Sequence, residues 1–404
     1  MKNNNLYMVV TILILSVCNT QRVEANGGNT NRITEVLKSG EVGVNLRYRT
    51  EYVEQDNMYE DAVASTLRTR INWRSGSFQG ANFFLELDNV SEIGVDKYNS
   101  TVNGKTEYPV VADPKGTEIN QVYLRYNLEQ LKVTVGNQRI NLNNPRFVGG
   151  MEGKASWRQN ERTYDGIRYQ YGNPGQLQLD HSYIYNINRV YGEDSNFSDF
   201  KGDIHLFRAS YPVLTKHQLS VFLYNLDFDN AINDSSRTYG MDYLGNFGAI
   251  ETRLSFAHQK NINQNLNDYS ANYYLAEITG TLGKMKGKIG YEILGANNGI
   301  GFSTPLATTH KFQGFTDKFR KTPAKGVEDL YVTANLKLIG GNLGISYHNF
   351  DANQGSAFYG SEWSVRYNRK FSKNLSGMVK YANYNAKDYL SDTNKFWLMI
   401  TMNF

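Results

Sequence analysis

From residue 42 to the last residue, Phe404, the chain repeats one pattern: segments of about ten residues in which apolar and polar side chains alternate, parted by connections that are short and long in strict turn. The segments run 42–53, 67–74, 81–89, 119–128, 131–138, 164–171, 177–188, 203–213, 218–228, 238–244, 249–259, 271–282, 285–295, 329–338, 343–350, 361–371, 375–384 and 395–404. That makes about 18 strands, or 16 if one hairpin is merged, an even number as a closed bacterial barrel requires. The short connections include Glu129-Gln130, Gly172-Asn173-Pro174-Gly175, Gly283-Lys284 and Gly340-Gly341-Asn342, which carry the chemistry of tight hairpins. A soluble β-sandwich has no reason to sort its loops by length onto two sides. The expected fold is therefore all-β: a transmembrane antiparallel β-barrel with both termini and the short turns on the periplasmic side. Two segments are weakly determined, since 238–244 is poorly patterned and 204–211 reads equally well on either face.

The chain ends agree with a bacterial outer-membrane location. Lys2, the apolar stretch Leu6 to Val17 and the small-residue site Val23-Glu24-Ala25 read as a secretory signal peptide over residues 1–25. The stretch is too short for a membrane-spanning helix. Cys18, the single cysteine, follows Val17, the wrong residue for lipidation there. Residues 26–40 form a periplasmic lead-in and 41–404 the barrel. The final strand places Phe396, Leu398, Ile400, Met402 and Phe404 on one face, an ending that barrel assembly machinery would read through Phe404. Aromatic residues make up 13% of the chain, with 29 tyrosines, which suits girdles at the two membrane surfaces in contact with outer-membrane lipid and lipopolysaccharide.

A charge in hydrocarbon costs kilocalories, so the charged set of each strand must face the lumen. This turns Arg47, Arg49, Arg68, Arg70 and Arg74 inward on the first two strands, Glu86 and Asp88 on the third, and Arg125, Lys132 and Arg168 beyond them. Two uses are open. The arginines brace the wall by pairing with the carboxylates, or, being in excess, they present bidentate forks to carboxylate or phosphate solutes. The connection from Gln138 to Thr163 is long and holds Arg139, Arg146, Trp157, Arg158, Glu161 and Arg162. It either folds into the pore, held by an Arg/Glu network, or forms an ordered lid outside.

Within it, Gly136-Asn137-Gln138-Arg139-Ile140-Asn141-Leu142, Arg146-Phe147-Val148-Gly149, Trp157-Arg158-Gln159-Asn160-Glu161 and Tyr164-Asp165-Gly166 resemble the alginate export family of outer-membrane porins. The likeness is sharp over these residues and diffuse elsewhere. It implies a monomeric barrel of about 18 strands with a basic lumen that favours polyuronates or other anionic sugars.

The resulting expectation is a passive channel for anionic small molecules or oligosaccharides. A polysaccharide exporter working with periplasmic partners is the alternative, and a barrel enzyme a further one. For catalysis, the six histidines are scattered with no serine or cysteine partner in pattern. No catalytic residue, cofactor or metal set is expected, because the Asp/Asn-rich stretch 227–234 lacks the glycine and glutamate of a calcium loop. A net charge of +4 without a basic cluster gives no warrant for nucleic acid. The lead-in is too short to hold the plug of an energy-coupled importer.

Overall fold

A computed structural model describes residues 34–149 and 157–404. The strands are β1 (Glu41–Gln55), β2 (Ala62–Arg74), β3 (Ala81–Lys97), β4 (Gly116–Leu128), β5 (Leu131–Gln138), β6 (Thr163–Tyr171), β7 (Gln178–Asn188), β8 (Asp199–Leu214), β9 (His217–Phe228) and β10 (Ser236–Asn246). They continue with β11 (Ile250–Asn261), β12 (Ser270–Leu282), β13 (Met285–Leu294), a small hairpin of β14 (Ala296–Asn297) and β15 (Ile300–Gly301), then β16 (Val327–Leu338), β17 (Gly341–Asp351), β18 (Phe358–Lys370), β19 (Leu375–Ala386) and β20 (Thr393–Asn403). Setting the small hairpin aside, an 18-stranded antiparallel sheet remains, in the order of the chain. It closes where β20 pairs back onto β1, from Asn45 opposite Asn403 to Gln55 opposite Thr393. Closure leaves no open edge, which is the condition for a sheet to stand in lipid.

Exposure is inverted relative to a soluble protein. Ile71 is 48% exposed while its neighbour Arg70 is 4% exposed, and Leu87, Leu254, Ile289 and Val332 likewise face outward. This apolar outer surface is what a bilayer requires and water would punish. The short turns lie at the end that holds the start of β1 and the end of β20. Before β1, residues 34–38 form a helical turn, and the Val36 carbonyl accepts a 2.9 Å hydrogen bond from the Gly76 amide in the β2–β3 turn. The signal-peptide reading, the first part of the lead-in and Cys18 lie outside the described residues.

Two features depart from simple alternation. A register shift between β3 and β4 turns both Asn120 and Gln121 inward, each donating to Glu86, at 2.7 and 2.9 Å. In addition, the lumen is not polar throughout. On β7 to β12, Ile184, Ile204, Leu206, Phe222, Tyr224 and Tyr273 point inward and are buried against Ile140, Leu142, Phe147 and Val148. The ambiguous segment 204–211 therefore has Ile204, Leu206 and Arg208 inside, because the β5–β6 connection gives them an apolar partner there.

Candidate solute passage

The β5–β6 connection folds into the barrel and reaches the far wall. Arg146 lies flat against the β13 carboxylate of Glu292 through Nε at 2.7 Å and Nη2 at 2.5 Å, and adds Gln313 at 2.8 Å. Asn144 donates to Asp242 on β10 at 2.8 Å, and Arg208 reaches the same carboxylate at 2.8 Å. Phe147 fits edge-on against Tyr273 and Phe302. A second inward connection, from β15 to β16, meets the first: the Thr308 amide donates to the Pro145 carbonyl at 3.0 Å, and the Trp157 and His310 rings stack 4.0 Å apart. Its tip is held by Glu362 on β18, which accepts from the amides of Phe315 and Thr316. The β3–β4 connection adds Asp113, fully buried, which takes Arg49 and the Gln159 amide.

These contacts decide where the arginine ladder sits. Arg47, Arg49, Arg68 and Arg70 face inward as expected, yet all are at most 5% exposed. The β5–β6 connection lies on top of them. Arg47 holds Gln159 at 2.9 Å and the Arg158 carbonyl, Arg49 holds the Trp157 carbonyl, and Arg68 holds Asn45 at 2.6 Å. Arg70 joins Asp88, Glu86 and Glu161, the last at 2.7 Å. Glu86 and Asp88 are consumed in the same network, which Arg139 completes by bridging Glu86 and Glu161. Burial alone would raise the Glu161 carboxyl, but Arg70 and Arg139 outweigh it and bring it down to about 2. The ladder is thus a mooring for the inward connection.

A cavity of about 140 Å³ remains between the two inward connections, bordered by Arg139, Arg158, Arg162, Arg189 and Arg320, with Trp157, Tyr164 and Tyr191 as its aromatic walls. Arg158 is paired to Glu51 at 3.0 Å and to Asp317 at 3.3 Å. Arg162 and Arg189 are different. Arg162 donates to the Ala307 carbonyl and Arg189 to that of Phe197, at 3.2 Å each, Arg189 also lies over the Tyr191 and Phe200 rings, and in both arginines the buried Nε has no hydrogen-bond partner among the described residues. Burial also lowers the Arg189 guanidinium below its ordinary value, the condition an arriving anion would relieve.

Toward the periplasmic turns, Arg74, Arg125, Lys132 and Arg168 line the same wall in sequence order. Arg74 lies over Phe84 and Arg125 over Tyr123, while Arg168 pairs with Asp180 at 2.6 Å. Across from them Lys216, Arg253, Lys286 and Lys288 share a space of about 490 Å³ with Glu251 and Glu277. The structure thus gathers the sequence-chosen residues into three groups: the buried mooring, the cavity with Arg139, Arg158, Glu161 and Arg162, and the basic wall below. Sequence reading passed over Arg189, Arg320, Asp113, His310 and Asp317. Arg189 and Arg320 stood in long connections without alternation to mark a facing side, as did Asp113, His310 and Asp317, whose partners Arg49, Trp157 and Arg158 lie far along the chain.

No protein-family model matches the chain, and no curated protein does. Solved structures match over nearly their whole length. OpdO of Pseudomonas aeruginosa superposes with a TM-score of 0.68 at 12% identity, covering 92% of this chain and 99% of that one. OccAB4 of Acinetobacter baumannii gives 0.68 at 14% identity, covering 90% and 98%. OpdK of Pseudomonas aeruginosa, in a structure with vanillate, gives 0.69 at 12%, covering 91% and 99%. These neighbours are Occ-type porins rather than enzymes or alginate exporters, and the likeness to the latter rests on the connection residues that prompted it. At these identities the comparison speaks for the fold: the chain is built as an 18-stranded barrel of the outer-membrane porin kind, and its apolar outer face belongs in the bacterial outer membrane.

Proposed function

We propose that the barrel is a passive channel that favours small anionic solutes, above all single carboxylate-bearing molecules, and that selection occurs at the cavity between the two inward connections. The observation that carries this is the pair Arg162 and Arg189, which line that cavity and whose buried Nε groups have no hydrogen-bond partner among the described residues. A carboxylate is the ligand that such a fork accepts in plane. The aromatic walls give an apolar or ring-shaped body a face to lie against. Vanillate, found with OpdK, is a molecule of this kind. A cavity of about 140 Å³ holds one small molecule at a time. Within the anion class a single uronate unit therefore fits the reading, whereas a threaded polyuronate of the alginate type requires the moored connections to part.

The test is the reversal potential of the purified protein in a planar bilayer under a salt gradient. A potential of the sign for anion preference is expected, and the double substitution Arg162→Ala, Arg189→Ala should lower the anion-to-cation permeability ratio severalfold. Cation preference in the unsubstituted channel would overturn the proposal.

A further inference from the structure

The outer surface of β8 to β11 carries a feature that the channel does not use. Arg237 on β10 and Lys260 on β11 stand directly opposite each other across the ladder, both facing outward and both exposed. Like charges in directly opposed positions cost stability. Among the described residues the polar partner of this pair is neutral: Arg237 donates through Nε to Asn225 Oδ1 at 3.0 Å. Its terminal nitrogens and the Lys260 ammonium are left facing outward.

The position of the pair along the strands is equally informative. Two residues toward the periplasm, the same faces hold Tyr239 and His258, whose rings lie 5.2 Å apart, with Phe207 and Leu223 alongside in register. Below these come Met241, Phe256 and Tyr274, which begin the apolar band. The cation pair therefore lies just beyond an aromatic girdle at the end of the barrel away from the short turns, at the depth of the outer-leaflet headgroups. Beside it, on β8 and β9, Asp203 and Asp227 also oppose each other directly across the ladder. Their partners are His205, at 3.2 Å from Asp203, and Asn263, at 2.5 Å from Asp227.

We propose that this rim patch binds the phosphorylated headgroup of an outer-leaflet glycolipid, with Arg237 and Lys260 sharing one phosphate. A doubly charged phosphate between two cations converts their repulsion into two charge-assisted hydrogen bonds. The neighbouring carboxylates keep to His205 and Asn263 and leave the two cations to the phosphate. The proposal rests on the outer-membrane placement of the barrel and is independent of what passes through the lumen.

Native mass spectrometry of the detergent-purified full chain tests it, with three probes: lipid A carrying two phosphates, the same lipid after dephosphorylation, and inorganic phosphate. Retention of the phosphorylated lipid is expected, with a loss of roughly tenfold in the double variant Arg237→Gln, Lys260→Gln. That variant should keep its folded gel mobility and single-channel conductance, since both side chains lie outside the lumen. Equal retention of the dephosphorylated lipid, equal retention by the folded variant, or capture of inorganic phosphate without preference for the lipid would each overturn the proposal.

Discussion

At the scale of single residues, charge acts here mostly as structure. Arg146 and Glu292 are each 2% exposed and bind in the two-pronged geometry, and three carboxylates converge on Arg70. Removing one partner of a buried pair leaves the other without compensation, at about 3–5 kcal/mol. Arg146→Ala should therefore free the β5–β6 connection from the far wall, raising single-channel conductance and lowering the temperature at which the folded barrel loses its compact gel mobility. Arg68→Glu with Arg70→Glu sets new carboxylates beside Glu86, Asp88 and Glu161. The expected result is the same rise in conductance together with noisier openings. If selectivity alone changed while conductance and stability held, these arginines would be facing solute after all, and the mooring role would fall.

At the scale of elements, strands and connections differed in how plainly the sequence announced them. The barrel strands were visible wherever lipid on one face and water or a polar partner on the other enforce alternation, and β10, poorly patterned, was only weakly so. The inward course of the β5–β6 connection was only half visible. Its density of Arg and Glu signalled a network, but the groups that receive it, Asp242, Glu292 and Asp113, belong to distant strands or another connection and look like ordinary lumen carboxylates. The aromatic lumen of β7 to β12 went unread for a related reason, because apolar residues on both faces of a strand erase the alternation on which facing is judged. The joint between the two inward connections carries a pH prediction. Burial, opposed by Asp317 and helped by Lys380, brings His310 down to about 3, so the folded joint keeps the ring neutral while a released loop takes up a proton near the ordinary 6.5. A group whose folded value is depressed loses its stabilisation as pH falls. The weakening runs from about pH 6.5 down to about 3. Below about 4.3 the paired Glu161, held at about 2, adds to it. Conductance fluctuations should therefore grow on acidification through this window, and His310→Phe, which keeps the stack on Trp157 without the titration, should flatten the His310 part of the response. A fluctuation level that stays constant from pH 7 to 3.5 would show that the joint does not move.

At the scale of the whole molecule, closure is made by the pairing of β1 with β20. The Val44 amide donates to the Phe404 carbonyl at 3.1 Å, and the Phe404 amide returns a bond to Val44 at 2.9 Å, so the last residue completes the β1–β20 seam. Its ring, in contrast, is exposed, with 63% of the residue accessible, and contributes little to holding the finished barrel. Two roles for Phe404 can therefore be separated by one substitution. Phe404→Ala keeps both backbone bonds and removes only the ring. If the ring serves recognition by the assembly machinery, the yield of folded protein in the outer membrane should drop severalfold in cells. The same variant refolded from urea into lipid vesicles should reach its native gel mobility as fast and as completely as the parent. Equal losses in cells and in vesicles would instead place the ring in the seam itself, and unchanged yield in both would remove Phe404 from assembly altogether.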